Sequence, residues 1–567
     1  MRPTDETAKA IPTWGRRRFA RLTATQGGSE PAPASAPAPG PGTGAAPLPG
    51  EGGSPASFLG ARAAAMDSTS VQIAFGFCAA VTILFVLSSE DFIHWFIIPV
   101  YLCGVVAAVD AVDWVRGRVG VVDPGGILGL LGVHFFFLAP LLHVAWDWWL
   151  PFVVHPPEWR PWLGYMAALN LVSLLAYRVV RDGVGWRGDG GATAAPRGSA
   201  RTYWQVSPVR IVPLLAGGMF VSAVLQAWVY ARFGGLGGYV AAYQDRMQLE
   251  SFKGMGAVFM LAEMFPILAA FSFALYARAT GKASDWLSIV VVLGMLFVLK
   301  IFFGGLRGSR ANYIWPMFWA VGIIHLWVRP IPRRLMGIGL GLVVLFMYVY
   351  GVYKHYGVEA AGALDGPESI SEMASDAKRG MDATILGDLG RSDTQAYVLR
   401  ELASDEGRGD FTYAWGRTYL GAAVLLVPSS VWPDRPAAKS REGTEILYGK
   451  GTWDTRHWVA SNAFGLAGET MLNFGPLAVP LAYAGLGWVV GRVRRWMQGL
   501  RPFDSRLLLA PFLVSFVIYL LVWDSDVIVF YVITSGVAPA AVVFAGSVVR
   551  RVEGAHGADW KAAGRAE

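Results

Sequence analysis

The sequence has few charged residues and almost no cysteine. Asp, Glu, Lys and Arg make up 16% of its 567 residues, whereas soluble domains carry roughly 25%. Both cysteines, Cys78 and Cys103, lie in apolar segments. The polar segments therefore have no disulfide, and the chain has no cysteine-based metal site. Because 54% of the residues are hydrophobic, the composition predicts a membrane protein.

The motifs of common soluble enzymes are also missing. The sequence contains no P-loop, no HExxH, no GxSxG and no GxGxxG after a strand, so it gives no support to ATP-driven, zinc-peptidase, serine-hydrolase or dinucleotide chemistry. We therefore predict no cofactor and no metal ion. The formal net charge is +7, but no base-stacking motif accompanies it, and we expect no nucleic-acid partner.

Long apolar segments dominate the chain instead. Segments of about 17 to 25 residues are long enough to cross the hydrocarbon layer as helices. We predict an all-α polytopic membrane protein with about 12 transmembrane helices. The predicted spans are 71–88, 92–110, 125–145, 162–179, 209–230, 255–277, 286–304, 312–328, 335–353, 473–491, 507–523 and 527–549.

The distribution of Lys and Arg predicts the orientation of these spans, since cytoplasmic loops retain positive charge. Lys and Arg concentrate in the N-terminal segment and in every second connection after it. Both termini are therefore predicted to be cytoplasmic. The same alternation places residues 354–472, the polar segment between spans 9 and 10, outside the membrane as one large loop.

These predictions divide the chain into five regions. The first is rich in Ala, Pro and Gly, a composition that cannot bury enough apolar surface to order a chain. In the outer loop, 369–389 has helical periodicity, and the apolar stretch 411–433 predicts a re-entrant or interfacial helix. The regions are a disordered cytoplasmic tail at 1–68, spans 1 to 9 within 69–353, the extracytoplasmic loop 354–472, spans 10 to 12 within 473–550, and a cytoplasmic tail at 551–567.

Two arginines follow span 7 in the stretch "GGLRGSRANY". Arg307 and Arg310 are three residues apart and are framed by Gly304, Gly305 and Gly308. Glycines allow the backbone to approach a ligand closely, and guanidinium groups bind phosphate oxygens bidentately. The pattern favours a lipid-linked phosphate or pyrophosphate at the outer leaflet, although a single arginine in this place often only extends to water.

Two charged residues are predicted inside the membrane, Glu263 on span 6 and Lys300 on span 7. A charge at that depth is costly unless it is paired or faces a cavity. We predict an ion pair between them. The alternative is that Lys300 extends to the interface on its own.

The end of the outer loop, "WDTRHWVASNAFGLAGETMLNFG" at 453–475, holds candidate acid–base residues. Asp454, Arg456, His457 and Glu469 lie close together near the membrane surface. His457 or Glu469 could act as a general base, and Arg456 could hold a phosphate group. The alternative is a polar loop end that leads into a helix N-terminus.

The stretch "WDSD", residues 523–526, has the Asp-x-Asp spacing that holds a metal and a nucleotide sugar in some glycosyltransferases. It lies in a short outer hairpin between spans 11 and 12, with no nucleotide-binding fold around it. We therefore interpret it as a turn.

At these positions the chain resembles the Wzy-type O-antigen and exopolysaccharide repeat-unit polymerases. Four stretches carry the resemblance, together with the number of spans and the single large outer loop. They are "GGLGGYVAAYQDR", "GGLRGSRANY", "VPSSVWPDRPAAK" and "SNAFGLAGETMLNFGPLAVPLAYAGLGWVVG", within residues 70–550.

The resemblance implies a glycosyltransferase that joins polyprenyl-pyrophosphate-linked oligosaccharide units at the outer face of a bacterial cytoplasmic membrane, for surface polysaccharide synthesis. It implies no nucleotide sugar and no essential metal. The implied partners are the lipid-linked oligosaccharide, membrane lipid, a chain-length regulator and a flippase.

The resemblance also assigns residues by position. Ser429 follows Pro428 where the family pattern has Arg, which shifts the phosphate role of that loop to Arg435 and Arg417. The general base is His457 or Glu469. The remaining pyrophosphate or glycan contacts are Arg307, Arg310, Arg246 and Lys439.

Three other functions stay open. A type-C glycosyltransferase uses a prenyl-phosphate sugar and places an acidic pair in its first outer loop, where this chain has Glu90 and Asp91. A glycan ligase shares the architecture and differs in its product. A lipid-linked oligosaccharide flippase or other transporter is disfavoured. Carriers built from two similar halves have a long inner loop between the halves, whereas a short loop joins spans 6 and 7 of this chain.

Overall fold

The computed structural model describes most of the apolar chain and part of the large loop. Helices dominate the described residues, and two short strands form the one sheet found among them. The described residues are 67–151, 153–185, 202–244, 255–306, 310–356, 372–374, 376, 380–404, 412–425, 427, 431–453 and 462–551.

The helices before the large loop are interrupted by three π-helical turns. These turns are His134–Leu138, Ile301–Gly305 and Ile324–Val328, and each continues a preceding α-helix. The α-helices are α1 Ser68–Ser88, α2 Ile97–Val115, α3 Pro124–Val133, α4 Ala139–Trp146, α5 Arg160–Gly185, α6 Pro208–Arg232, α7 Gly235–Gln244, α8 Gly256–Ala262, α9 Phe265–Thr280, α10 Trp286–Lys300, α11 Ala311–Ile323 and α12 Arg333–Tyr356.

Eight further α-helices lie in the large loop and the C-terminal part, and most of them are short. Two further π-helical turns lie there, at Ala383–Asp388 and Val532–Val537, and 3-10 turns lie at Pro476–Ala478 and Ser505–Leu509. A third 3-10 turn, Glu90–Phe92, lies between α1 and α2. The α-helices are α13 Ser392–Ala403, α14 Arg417–Ala423, α15 Lys439–Tyr448, α16 Gly465–Phe474, α17 Val479–Gly499, α18 Ala510–Val522, α19 Ser525–Tyr531 and α20 Ala538–Ala545.

Eleven helical units among the described residues are long and apolar enough to cross a membrane. The prediction of an all-α polytopic membrane protein is confirmed in this respect. The remaining predicted span, 312–328, is also helical through α11 and its π turn, but Asn312, Pro316 and His325 make it less apolar. The eleven units are α1, α2, α3 with α4, α5, α6, α8 with α9, α10 with its π turn, α12, the unit 476–499 that contains α17, the unit 505–522 that contains α18, and α19 with α20.

Surface helices of the bundle present apolar side chains outward, as contact with lipid requires. In α1, for example, Leu84 and Leu87 are exposed, whereas Ala74 and Cys78 are buried against the bundle. Membrane-spanning segments form helices because no water is available to satisfy their backbone groups.

Contacts between the loops that connect the helices show which loops lie at the same end of the bundle. At one end, Arg160 contacts Asp91 at 3.3 Å, and α19 begins against the carboxylate of Glu469. At the other end, Arg494 pairs with Asp123 at 2.8 Å. The large loop belongs to the first end, which the Lys and Arg distribution predicts to be outside.

The second end also carries the two-stranded sheet. Strands β1 Thr202–Val206 and β2 Ser547–Arg551 pair in antiparallel register, with Tyr203 opposite Arg550. The backbone N–H of Trp204 donates to Asp504 at 3.3 Å. The first and last described residues lie at this end as well. Asp67 forms an ion pair with Arg116, and Arg551 lies opposite Thr202 in the sheet.

The structure describes parts of the two helices predicted within the large loop. Of 369–389, the described helical residues are 372–374, 376, 381–382 and the π turn at Ala383–Asp388. In 411–433 the described helix is the seven-residue α14, which follows Gly416 in a left-handed conformation. The left-handed turn at Trp415 and Gly416 separates α14 from the residues before it.

Candidate functional site

Asp524 is the centre of a buried polar cluster at the loop-bearing end of the bundle. It lies between α18 and α19, and its carboxylate points at the first turn of α16. Its Oδ1 accepts the N–H groups of Phe464 and Gly465, each at 2.9 Å. A negative charge at a helix N-terminus is favourable because it faces unpaired N–H groups. Asp524 thus fixes the start of α16 beside the start of α19.

Lys439, the first residue of α15, neutralises Asp524. Its Nζ lies 2.8 Å from Asp524 Oδ2, and both side chains are almost completely buried. The ammonium group also donates to the carbonyl of Asn462 and lies 3.4 Å from the centre of the Phe464 ring. Buried charges are tolerated when they are paired and hydrogen-bonded in this way.

Glu469 on α16 completes the cluster. Ser525 donates to it twice, from its backbone N–H to Oε2 and from its hydroxyl to Oε1, both at 2.6 Å. The Thr418 hydroxyl donates to Oε1 at 2.8 Å and itself accepts a hydrogen bond from Asn473 at 2.7 Å. The carboxyl group is therefore held in one orientation by α14, α16 and α19. We call Glu469, Asp524, Lys439, Ser525 and Thr418 the carboxylate cluster.

The pKa of Glu469 is raised to about 7, chiefly by burial, and the neighbouring charge of Asp524 acts in the same direction. The hydrogen bonds from Ser525 and Thr418 act in the opposite direction. Glu469 can therefore exchange a proton near neutral pH, which an ordinary surface glutamate does not do. Its side chain is only 3% exposed, so Ser525, which is half-buried, is the polar group of the cluster nearer to solvent.

The glycine-rich sequence before Glu469 explains how α16 comes so close to α18. Gly465 has a φ of +66°, and a Cβ at this position would lie 2.9 Å from the carbonyl oxygen of Leu521. Residues with a side chain disfavour that backbone conformation. The stretch "NAFGLAGE" therefore starts α16 against α18 and brings Glu469 to the turn that carries Asp524.

Arg310 lies at the start of α11 and forms an ion pair with Asp388, at the end of the π turn Ala383–Asp388. Arg391 follows in the same loop and is buried. Its guanidinium carbon lies 5.7 Å from the centre of the Trp523 ring. Arg391 therefore lies on the side of the cluster where Trp523 precedes Asp524, and Arg310 contacts the same loop through Asp388.

Glu263 and Lys300 lie next to each other. The Nζ of Lys300 is 3.9 Å from Glu263 Oε2 and donates to the carbonyl of Phe303 at 2.6 Å. The helix is distorted at this point, because Gly304 has a φ of +94°. A Cβ at Gly304 would lie 2.2 Å from Glu263 Oε2. The two intramembrane charges thus flank a break in the helix.

Two other predicted contacts have different partners. Arg417 pairs with Glu442 at 2.7 Å and joins α14 to α15. Arg435 donates to backbone carbonyls that follow α14, including that of Leu425 at 3.0 Å. Their described hydrogen bonds therefore connect parts of the large loop. Four further predicted site residues, Arg246, Arg307, Arg456 and His457, lie outside the described residues.

Sequence reasoning gave too little weight to Asp524. The interpretation of "WDSD" as a turn describes its backbone, but Asp524 is 4% exposed and joins α15, α16 and α19. The Asp-x-Asp spacing was the available signal. Arg391, Ser525 and Thr418 had no sequence signal, because their roles depend on partners distant in the chain.

Other candidate features lie apart from the cluster. Among the described residues, no group of three or more His, Cys, Asp or Glu side chains is arranged to hold a metal ion. Asp91 is exposed and pairs with Arg160. A small pocket among the bundle helices is lined mainly by apolar side chains, with Asp110 and Arg178 among its lining residues.

Comparison of the chain with protein-family models, with curated proteins and with solved structures gives no match.

Proposed function

We propose that the protein is a polymerase of polyprenyl-pyrophosphate-linked oligosaccharide repeat units at the outer face of the cytoplasmic membrane. The observation that carries the proposal is the carboxyl group of Glu469, which is buried and has a pKa raised to about 7. It lies beside the Lys439–Asp524 ion pair, at the end of the bundle predicted to be outside. The site supports acid–base chemistry on a substrate that arrives at the membrane surface.

Glycosyl transfer from a lipid pyrophosphate needs such a group. The acceptor hydroxyl oxygen forms a bond to the anomeric carbon of the donor sugar, and the bond from that carbon to the pyrophosphate oxygen breaks. The pyrophosphate leaves with the electron pair, and the acceptor hydroxyl loses its proton. A carboxylate with a pKa near 7 is suited to accept that proton at neutral pH.

Ser525 has a part in the proposed transfer, which its hydrogen bond to Glu469 supports. Because Glu469 is buried, the substrate does not reach its carboxylate directly, whereas the Ser525 hydroxyl lies 2.6 Å from Oε1. In the proposed reaction the acceptor proton passes to the Ser525 oxygen while the Ser525 proton passes to Glu469. The free energy released when the sugar is transferred from the lipid pyrophosphate drives the reaction, so the chain needs no nucleotide.

The test is the size distribution of lipid-linked and surface glycan in cells that lack the protein and are complemented with variants. Wild type should restore long chains, and Glu469→Gln should leave single repeat units on the outer face. The matched control is Glu445→Gln, because Glu445 on α15 pairs with the exposed Arg441 at 3.6 Å. This control should restore long chains.

Other outcomes would contradict the proposal. Single units confined to the inner face would indicate a flippase, and long chains that persist without the protein would indicate a ligase or another transferase. Long chains formed by Glu469→Gln would remove Glu469 from the reaction. Before its glycan is compared, each variant must be present in the same amount as wild type and must be folded after extraction in detergent.

A further inference from the structure

The turn that contains Asp388 and Arg391 holds a buried guanidinium group with an unused donor. Arg391 is 5% exposed. Its Nη1 donates to the carbonyls of Gly387 at 3.1 Å, of Asp388 at 3.0 Å and of Gly390. Its Nε is buried and has no acceptor within the described part of the chain. The carbonyl contacts fix the position of the guanidinium group without using all of its N–H groups.

Arg310 reaches the same turn from α11. Its Nη1 pairs with the carboxylate of Asp388, while its Nη2 is buried and finds no acceptor among the described residues. Residue 388 is therefore the meeting point of the two arginines. Arg310 contacts its carboxylate, and Arg391 contacts its carbonyl oxygen.

Unused donors of this kind point to an absent acceptor. Nearly all buried N–H groups in proteins have a hydrogen-bond partner. A buried donor without a partner costs free energy, and the cost is largest for a charged group. One carboxylate cannot satisfy two guanidinium groups that together carry up to ten N–H bonds. A phosphate group presents three or more oxygens and matches the planar guanidinium group in geometry and charge.

The surrounding charges leave room for an anion. Burial lowers the pKa of Arg391, and the carboxylates of Asp388, Asp524 and Asp393 oppose this effect. Of these, Asp524 is already neutralised by Lys439, and Asp393 Oδ1 accepts hydrogen bonds from the N–H and the hydroxyl of Thr394. Asp388 is thus the carboxylate that competes most directly for Arg310.

We propose that Arg310 and Arg391 together bind a phosphate group, and that the Asp388 carboxylate occupies Arg310 until that phosphate replaces it. The identification of this phosphate with the lipid-linked substrate rests on the proposed function. Arg391 lies against Trp523, the residue before Asp524. The phosphate would therefore be held beside the carboxylate cluster, where a departing pyrophosphate needs charge stabilisation.

The experiment measures binding of inorganic pyrophosphate to the full-length protein in zwitterionic lipid nanodiscs, by calorimetric titration. Arg391→Gln should weaken binding about tenfold or more, because a hydrogen bond to a charged group is lost. Asp388→Asn should tighten binding severalfold, since it removes the competing charge. The matched control Arg441→Gln, at an exposed position of α15, should bind as wild type does.

The opposite signs of the two effects make the result decisive. A misfolded variant cannot bind more tightly, so a gain in Asp388→Asn supports the proposal even if Arg391→Gln is poorly folded. Weaker binding by Asp388→Asn, or unchanged binding by a folded Arg391→Gln, would overturn it.

Two further measurements separate the source of the phosphate and the fate of the proposed function. If nanodiscs containing phosphatidylglycerol suppress pyrophosphate binding, the site holds a lipid headgroup and its assignment to the substrate is wrong. If binding is unaffected by that lipid, the substrate assignment is supported. Pyrophosphate binding requires no turnover, so the site can stand even where the glycan assay contradicts the polymerase.

Discussion

The ammonium group of Lys439 and the carboxylate of Asp524 form a buried ion pair 2.8 Å long, between residues that are far apart in the sequence. The pair joins α15 of the large loop to the turn between two membrane helices. Asp524 also accepts two N–H groups at the start of α16. The loop is therefore attached to the membrane bundle by charge as well as by apolar contact.

Removing one partner of this pair should destabilise the protein strongly. Lys439→Met leaves the Asp524 carboxylate buried without its cation, and breaking a buried pair in this way costs about 3–5 kcal/mol. The double variant Lys439→Met/Asp524→Asn should recover part of that loss. Thermal unfolding in detergent measures both effects. Lys282→Met, at an exposed turn, is the control, and equal unfolding temperatures for all the variants would contradict the role of the pair.

The raised pKa of Glu469 predicts the direction in which stability depends on pH. Between 4.5 and about 7 the folded protein retains a proton on Glu469 that the unfolded chain has lost. Because the folded state binds more protons, its stability should fall as pH rises through this range. The loss is at most about 3 kcal/mol, from 1.36 kcal/mol for each pH unit.

The variant Glu469→Gln isolates this contribution from other titrating groups. Its stability relative to wild type should increase between pH 5 and pH 8, as measured by chemical unfolding at a series of pH values. Glu445→Gln, which changes a partly exposed carboxyl group, should show no such trend. A constant difference between Glu469→Gln and wild type would mean that Glu469 is ionised throughout.

The hydroxyl of Ser525 should control the ionisation of Glu469. Its hydrogen bond to Oε1 stabilises the carboxylate and lowers the pKa of Glu469. In Ser525→Ala the pKa should therefore rise above that of wild type. Infrared titration of the protonated carboxyl band would measure it, with Glu469→Gln used to assign the band. A downward shift would contradict the arrangement.

The sequence was sufficient to predict the membrane fold but not the composition of the cluster. Apolar segments must become helices in a membrane, so hydropathy alone predicts them. Glu469 and the adjacency of Glu263 and Lys300 could also be inferred, because each is a charge in an apolar setting. In contrast, Asp524 and Arg391 acquire their partners only when the loop packs against the bundle, and no local pattern contains that information.

The break in the helix after α10 gives a prediction about backbone geometry. Gly304→Ala should destabilise the protein, because φ at this position is +94° and the added Cβ would meet the Glu263 carboxylate. Strain of this kind costs about 1–3 kcal/mol. Gly294→Ala is the matched control, since it lies in α10 and no atom lies within 4 Å of its added Cβ. Alanine favours a helix over glycine, so the control should be neutral or slightly stabilising. Thermal unfolding of the two variants in the same detergent tests this difference, and equal effects would show that Glu263 does not pack against the break.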